Sequence, residues 1–132
     1  MHRLLYYNMS DMFVHAESVE LQYGFKRSAG RAYVRGENSS WPVCDRNWDL
    51  KDANVLCHEL GYPGAVRATR RSYFTYRNDP NPQSQLYTLF GDIDCTGSEY
   101  SIYDCLDVYG NAISLTPQLC SSQSIAGIIC DG

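Results

Sequence analysis

A chain of 132 residues, 44% apolar and 20% charged, holds enough material for one packed domain and too little for two ordinary ones. Its net charge of −4 is mild, selects no partner, and with no recognisable nucleic-acid motif excludes nucleic acid as a physiological one. No apolar run approaches the length that crosses a bilayer, so no membrane insertion is expected.

Residues 1–18 show no clean hydrophobic period and read as a tail or linker, leaving 19–132 as a single domain. The opening MHRLLYYNMS has too few apolar residues for a signal peptide, so the chain reads as a piece of a larger protein. From Val19 the pattern is β-like. Val19 and Leu21 alternate with polar neighbours, and Ala32-Tyr33-Val34 follows Gly30-Arg31. A polar turn at Gly36 to Ser40 then leads to Trp41, Val43 and Cys44, which completes a hairpin. The clearest element is a helix after Asp49. Asp49 accepts from the free amides of the first turn, and Asp52 stands at capping-box distance. Ala53, Leu56, Cys57 and Leu60 fall on one face, Asn54 and His58 on the solvent side. Gly61 and Pro63 end it.

Tyr62 to Gln85 reads as a long connection. It carries the basic aromatic run RATRRSYFTYR, then the loop-like NDPNPQSQ. Leu86 to Ile93 returns to strand, Ser98 caps a short helix ending at Cys105, and Ile125 to Cys130 is a closing apolar strand.

Six cysteines, at 44, 57, 95, 105, 120 and 130, include no CxxC pair. Zinc sites usually place two ligands within a few residues, so the count points to disulfides and an oxidising compartment. Fifteen pairings remain open on spacing alone. Two glycosylation sequons, at Asn8 and Asn38, agree with secretion.

Several pieces together resemble a scavenger receptor cysteine-rich (SRCR) domain of the six-cysteine type. They are Gly30-Arg31, Trp41-Pro42-Val43-Cys44, Asp45-x-x-Trp48-Asp49, Asp52-Ala53-Asn54-Val55-x-Cys57, Leu60-Gly61-Tyr62-Pro63-Gly64, Asp94-Cys95-x-Gly97-x-Glu99, Asp104-Cys105 and Ala126-Gly127-Ile128-Ile129-Cys130. The resemblance implies an α+β fold, a curved antiparallel β-sheet wrapped around one main α-helix. It also implies three disulfides, Cys44–Cys120, Cys57–Cys130 and Cys95–Cys105. It implies a non-catalytic, extracellular, ligand-binding module, secreted or on a membrane receptor of scavenger or innate-immune type. The same likeness extends to modules of mosaic secreted proteases and oxidases, which contact other domains of the parent chain.

Three constellations bear on chemistry. His58-Glu59 begins like a zinc-protease motif, but Tyr62 stands where the second histidine belongs, and no nucleophile elbow or phosphate loop occurs. The resemblance implies a calcium site, whose matching positions here are Asp45, Arg46 and Glu99. Arginine replaces the second aspartate, so two outcomes are open. Either Asp45 and Glu99, helped by Asp92 and Asp94, hold calcium, or an Arg46–Glu99 ion pair replaces the metal. The third is the run Arg67, Arg70, Arg71 and Arg77, interleaved with Tyr73, Phe74 and Tyr76 and containing no acid. Arginine forks suit sulfate, phosphate and carboxylate, so this segment is the candidate surface for polyanionic or protein ligands, with Arg31 and Arg35 as possible additions. Tyr87, Tyr100, Tyr103 and Tyr109 fall in segments facing the loops.

Overall fold

The computed structural model describes residues 18–35, 39–74, 85–114 and 116–132. Strands β1 (Ser18–Gln22), β2 (Ala29–Arg35) and β3 (Ser40–Pro42) pair antiparallel in succession, as the alternation predicts. Val19 faces Val34 across β1 and β2, and both side chains are buried.

Helix α1 (Leu50–Glu59) has the ends its sequence dictates. The Asp49 carboxylate accepts from the amides of Lys51 and Asp52 at 3.0 and 3.1 Å, and Asp52 accepts from the Asp49 amide at 2.9 Å. At the other end Gly61 takes φ +94°. Its amide donates to the His58 carbonyl and that of Tyr62 to Cys57, which closes the helix as a Schellman motif. Ala53, Val55, Leu56 and Cys57 are fully buried, so the apolar face is wider than the four expected positions by Val55. Asn54 departs from the expected solvent side. Its Nδ2 donates to the Gly97 carbonyl at 3.3 Å and its Oδ1 accepts from the Ala65 amide at 3.0 Å. It ties the helix to the Gly97 loop and to the start of a later strand at Ala65.

The rest of the chain supplies β4 (Ala65–Thr69), β5 (Gln85–Thr88), β6 (Ile93–Asp94), β7 (Leu106–Asp107), β8 (Gln118–Ser121) and β9 (Gly127–Cys130). β4 lies inside the stretch expected to be a connection. Its alternation is broken by a register shift between Ala65 and Arg67, which hides the strand from a period-2 reading. The main sheet runs β1-β2-β9-β4, with β3 beside β2; β5 pairs with β8 and β6 with β7. The expected short helix is a single 3-10 turn, Ile102–Asp104, capped by Ser101 and not by Ser98. Glu59 supports it, accepting from the Ile102 amide at 2.9 Å and the Ser101 hydroxyl at 3.2 Å.

The helix packs against β4 and β9 over a core that includes Trp48, Leu56, Leu89, Ile93, Ile102 and Ile128. Trp48 Nε1, buried with it, donates to the Gly127 carbonyl at 3.0 Å. The three disulfides are Cys44–Cys120, Cys57–Cys130 and Cys95–Cys105, as the resemblance implies.

Asp52 is the buried carboxyl of this core, at 0% exposure. Besides capping the helix it accepts from the Cys95 amide at 2.9 Å. Burial pushes its pKa up to about 7, from 3.8, against the opposing pull of the Cys95 and Asp49 amides; the Asp49 charge adds to the rise. Between those values the folded chain keeps a proton that the unfolded chain releases. This group's contribution to stability is therefore full below 3.8 and lost as pH rises through about 7. The Asp52 carboxyl carbon, followed by NMR, is expected to titrate well above the ordinary aspartate range; a midpoint at or below 3.8 contradicts the assignment.

Candidate binding surface

β4 lies at the edge of the main sheet and leads into a turn at Arg70 to Phe74. Arg71 and Ser72 both take left-handed backbone, φ +54° and +52°. Such a pair of non-glycine residues persists only where neighbours fix it. Here the Asp45 carboxylate accepts from the Arg71 amide at 2.7 Å. The Ser72 amide donates to the Ile125 carbonyl, its hydroxyl donates to the Ser122 carbonyl at 2.7 Å, and the Ile125 amide returns a bond to that hydroxyl at 3.0 Å. The turn is pinned by Asp45 and by the Ser122 to Ile125 segment.

Arg67, Arg70 and Arg71 project from this frame and are exposed. The Arg67 guanidinium lies 4.8 Å from the Tyr73 ring centroid. The ion pairs among the described residues are Arg35–Glu20 and Arg46–Asp92, each at 3.2 Å, so no carboxylate engages these three side chains there. Arg77 and Tyr76 lie outside the described residues, as do Asn8 and Asn38. The interleaved aromatics divide: Phe74 is buried while Tyr73 stays half exposed. Of the two arginines expected to add to the surface, Arg31 is turned inward, 2% exposed, with Nε donating to the Phe74 carbonyl. Arg35 is exposed but spends its charge on Glu20.

The acidic positions tell a different story from the one expected. Arg46 does not pair with Glu99. Its Nε meets Asp92, which also accepts from Asn47 Nδ2 at 2.8 Å. Glu99 folds back onto its own loop and accepts from the amides of Thr96 and Gly97 at 2.9 to 3.1 Å. Partial burial pushes the Glu99 carboxyl up, but those amides outweigh it and hold the group below the usual carboxylate range. Asp45 is nearly buried and holds the arginine turn. Among the described residues the one metal-like group is Cys95, Glu99 and Cys105, with ligand atoms within 4.8 Å of one another, and both its sulfurs are disulfide-bonded. Asp45, Asp92 and Glu99 each hold a different local partner in this structure, and no chemistry is assigned to a calcium site.

Sequence reading missed one neighbour of the arginine turn. Phe25, in the loop between β1 and β2, packs against Phe74 at 5.9 Å, and Lys26 and Arg27 beside it are exposed. The available signal was the absence of any acid between Glu20 and Glu37. Of the four tyrosines, Tyr87, Tyr100 and Tyr109 are exposed, whereas Tyr103 packs edge-on to Phe90 at 5.6 Å.

One helix stapled by a buried disulfide to an antiparallel sheet, with two further bridges, defines a small disulfide-built α+β module. The chain belongs to the Scavenger receptor cysteine-rich domain family, whose profile matches residues 22–131. It is 33% identical over 115 residues to the T-cell differentiation antigen CD6 of Mus musculus, covering 86% of this chain and 15% of that protein. It is also 33% identical over 101 residues to a scavenger receptor cysteine-rich domain superfamily protein of Patiria pectinifera, covering 76% and 8%. The chain thus spans less than a fifth of these curated relatives. Among solved structures, the third SRCR domain of murine neurotrypsin matches with a TM-score of 0.63 at 29% identity, covering 86% of this chain and 95% of that one. The SRCR domain of mouse MARCO, in a dimeric form, matches at 0.59 and 29%, covering 78% and 86%.

Proposed function

We propose that the chain is an extracellular binding module, without catalytic activity, that takes anionic ligands on the turn after Gly64. The observation that carries this reading is the set of exposed arginines, Arg67 on β4 and Arg70 and Arg71 on the turn that Asp45 fixes, which no described carboxylate engages. A fixed backbone presents the guanidinium forks with little ordering cost, which favours sulfate, phosphate or carboxylate groups. Six cysteines tied in disulfides support an oxidising compartment, and leave no thiol nucleophile. His58 Nε2 lies 2.7 Å from the Pro63 carbonyl oxygen. No helix among the described residues is long and apolar enough to cross a membrane.

In this reading the expected tail ends just before β1, which takes in Ser18, and the rest of the chain serves as the ligand-binding unit of a scavenger or innate-immune receptor ectodomain. A second placement, as an interaction module within a mosaic secreted protein, draws support from the likeness to the third SRCR domain of neurotrypsin, one module among several.

Heparin affinity chromatography tests the anionic surface. The chain is expected to stay bound at about 0.15 M salt, and Arg67→Ala/Arg70→Ala/Arg71→Ala to elute earlier. Elution of the unsubstituted chain below that salt concentration overturns the reading.

A further inference from the structure

The arginine turn is one half of a wider face. The Tyr23 to Arg27 loop lies beside it, and the contact is aromatic. Phe25 packs on Phe74 at 5.9 Å, and Tyr73 meets Phe74 edge-on at 5.0 Å. Phe74 is buried and forms the floor, while Phe25 and Tyr73 are 67% and 51% exposed. The three rings make one continuous row. Cations stand along it, Lys26 Nζ at 5.9 Å from the Phe25 centroid and Arg67 at 4.8 Å from that of Tyr73. Arg31 locks the two halves together, donating to the Phe74 carbonyl while lying 5.7 Å from the Tyr23 ring. Neither contributing segment carries a carboxylate: none occurs between Glu20 and Glu37, or between Glu59 and Asp79.

A cation resting on a ring face keeps its N–H donors free for an acceptor. A polyanion uses those donors but gains little from two open rings. A protein partner uses both. Tyrosine, phenylalanine and arginine together, low in acid, are the composition of protein–protein contact centres. We propose that the Phe25–Phe74–Tyr73 row, with Lys26, Arg27 and Arg67, is a docking face for an acidic protein whose contacting segment interleaves carboxylates with apolar side chains. This rests on the reading of the arginine turn as an anion site, and adds to it the β1–β2 loop and the apolar half of the partner.

Three probes separate the cases: a labelled peptide alternating Glu with Leu, one of equal length and charge alternating Glu with Ser, and a heparin oligosaccharide. Binding to the whole chain is read by fluorescence anisotropy at physiological salt. The Glu–Leu peptide is expected to bind about tenfold more tightly than the Glu–Ser peptide. Phe25→Ser and Tyr73→Ser are each expected to remove that preference, so that the two peptides bind alike. Equal affinity for the two peptides in the unsubstituted chain overturns the docking face and leaves the arginine reading standing. So does heparin binding without binding of either peptide, or a preference that survives in both variants. Failure of all three probes to bind overturns both readings. The peptide comparison on the unsubstituted chain decides the matter even if a variant fails to fold.

Discussion

Replacing Cys57 and Cys130 together with alanine is expected to lower the unfolding free energy by about 4 kcal/mol or more. The bond closes a span of 73 residues, and chain entropy alone assigns a loop of that size about 4 kcal/mol. Both residues are fully buried, so the lost sulfurs also leave unfilled space at the point where α1 meets β9. Removing Cys95 and Cys105 opens a span of 10 residues and is expected to cost less, about 3 kcal/mol. Urea unfolding of the two double variants beside the parent checks both the size and the order. A loss under 1 kcal/mol for the 57–130 pair, or a reversed order, contradicts the account.

Gly127→Ala is the second large effect, expected at about 3 kcal/mol and a fall of roughly 10 °C in Tm. A Cβ at this position would lie 2.4 Å from Thr69 Oγ1, 2.9 Å from the Gly30 carbonyl oxygen and 3.0 Å from Phe74 Cδ2. The first belongs to a stiff β-branched side chain in β4 and the second to the backbone of β2, so neither yields cheaply. The Gly127 carbonyl also holds the Trp48 indole, so a shift of the strand disturbs the core. Thr69→Ala removes the closest clash, and its hydroxyl has no hydrogen-bond partner among the described residues. The double substitution is therefore expected to cost less than the sum of the two single ones. Calorimetric Tm values for all three variants test this, and strict additivity counts against the steric explanation.

Local chemistry was the part of this fold open to reading from sequence. Asp49 and Asp52 act within one turn at the start of the helix, Gly61 and Pro63 lie just past its end, and the helix stops where they say. Of the strands that escaped notice, β4 and β8 owe their existence to partners far along the chain, and β7 is only two residues long. QLCS and AVRAT are too exposed and too irregular to announce themselves. Ser98 resembles a cap, but Gly97 at φ +103° and the inward fold of Glu99 commit that loop otherwise. The site divides the same way. The exposed arginines were legible as a charge run. Asp45 as their anchor, and Arg46 on Asp92 across 46 positions, depend on which loops the fold brings together. The disulfide pairing came from family likeness, since spacing leaves it open.

The place of β9 in the main sheet has a consequence for how the chain acquires its shape. The last strand in sequence lies between β2 and β4, so neither of those flanking strands has its full complement of hydrogen bonds until residue 130 is available. Two of the three disulfides also wait for Cys120 and Cys130. During synthesis the earlier segments therefore leave the ribosome with an unfilled slot between them. Closing it is a late, long-range and slow event, and the open strand edges are vulnerable to mispairing until it happens.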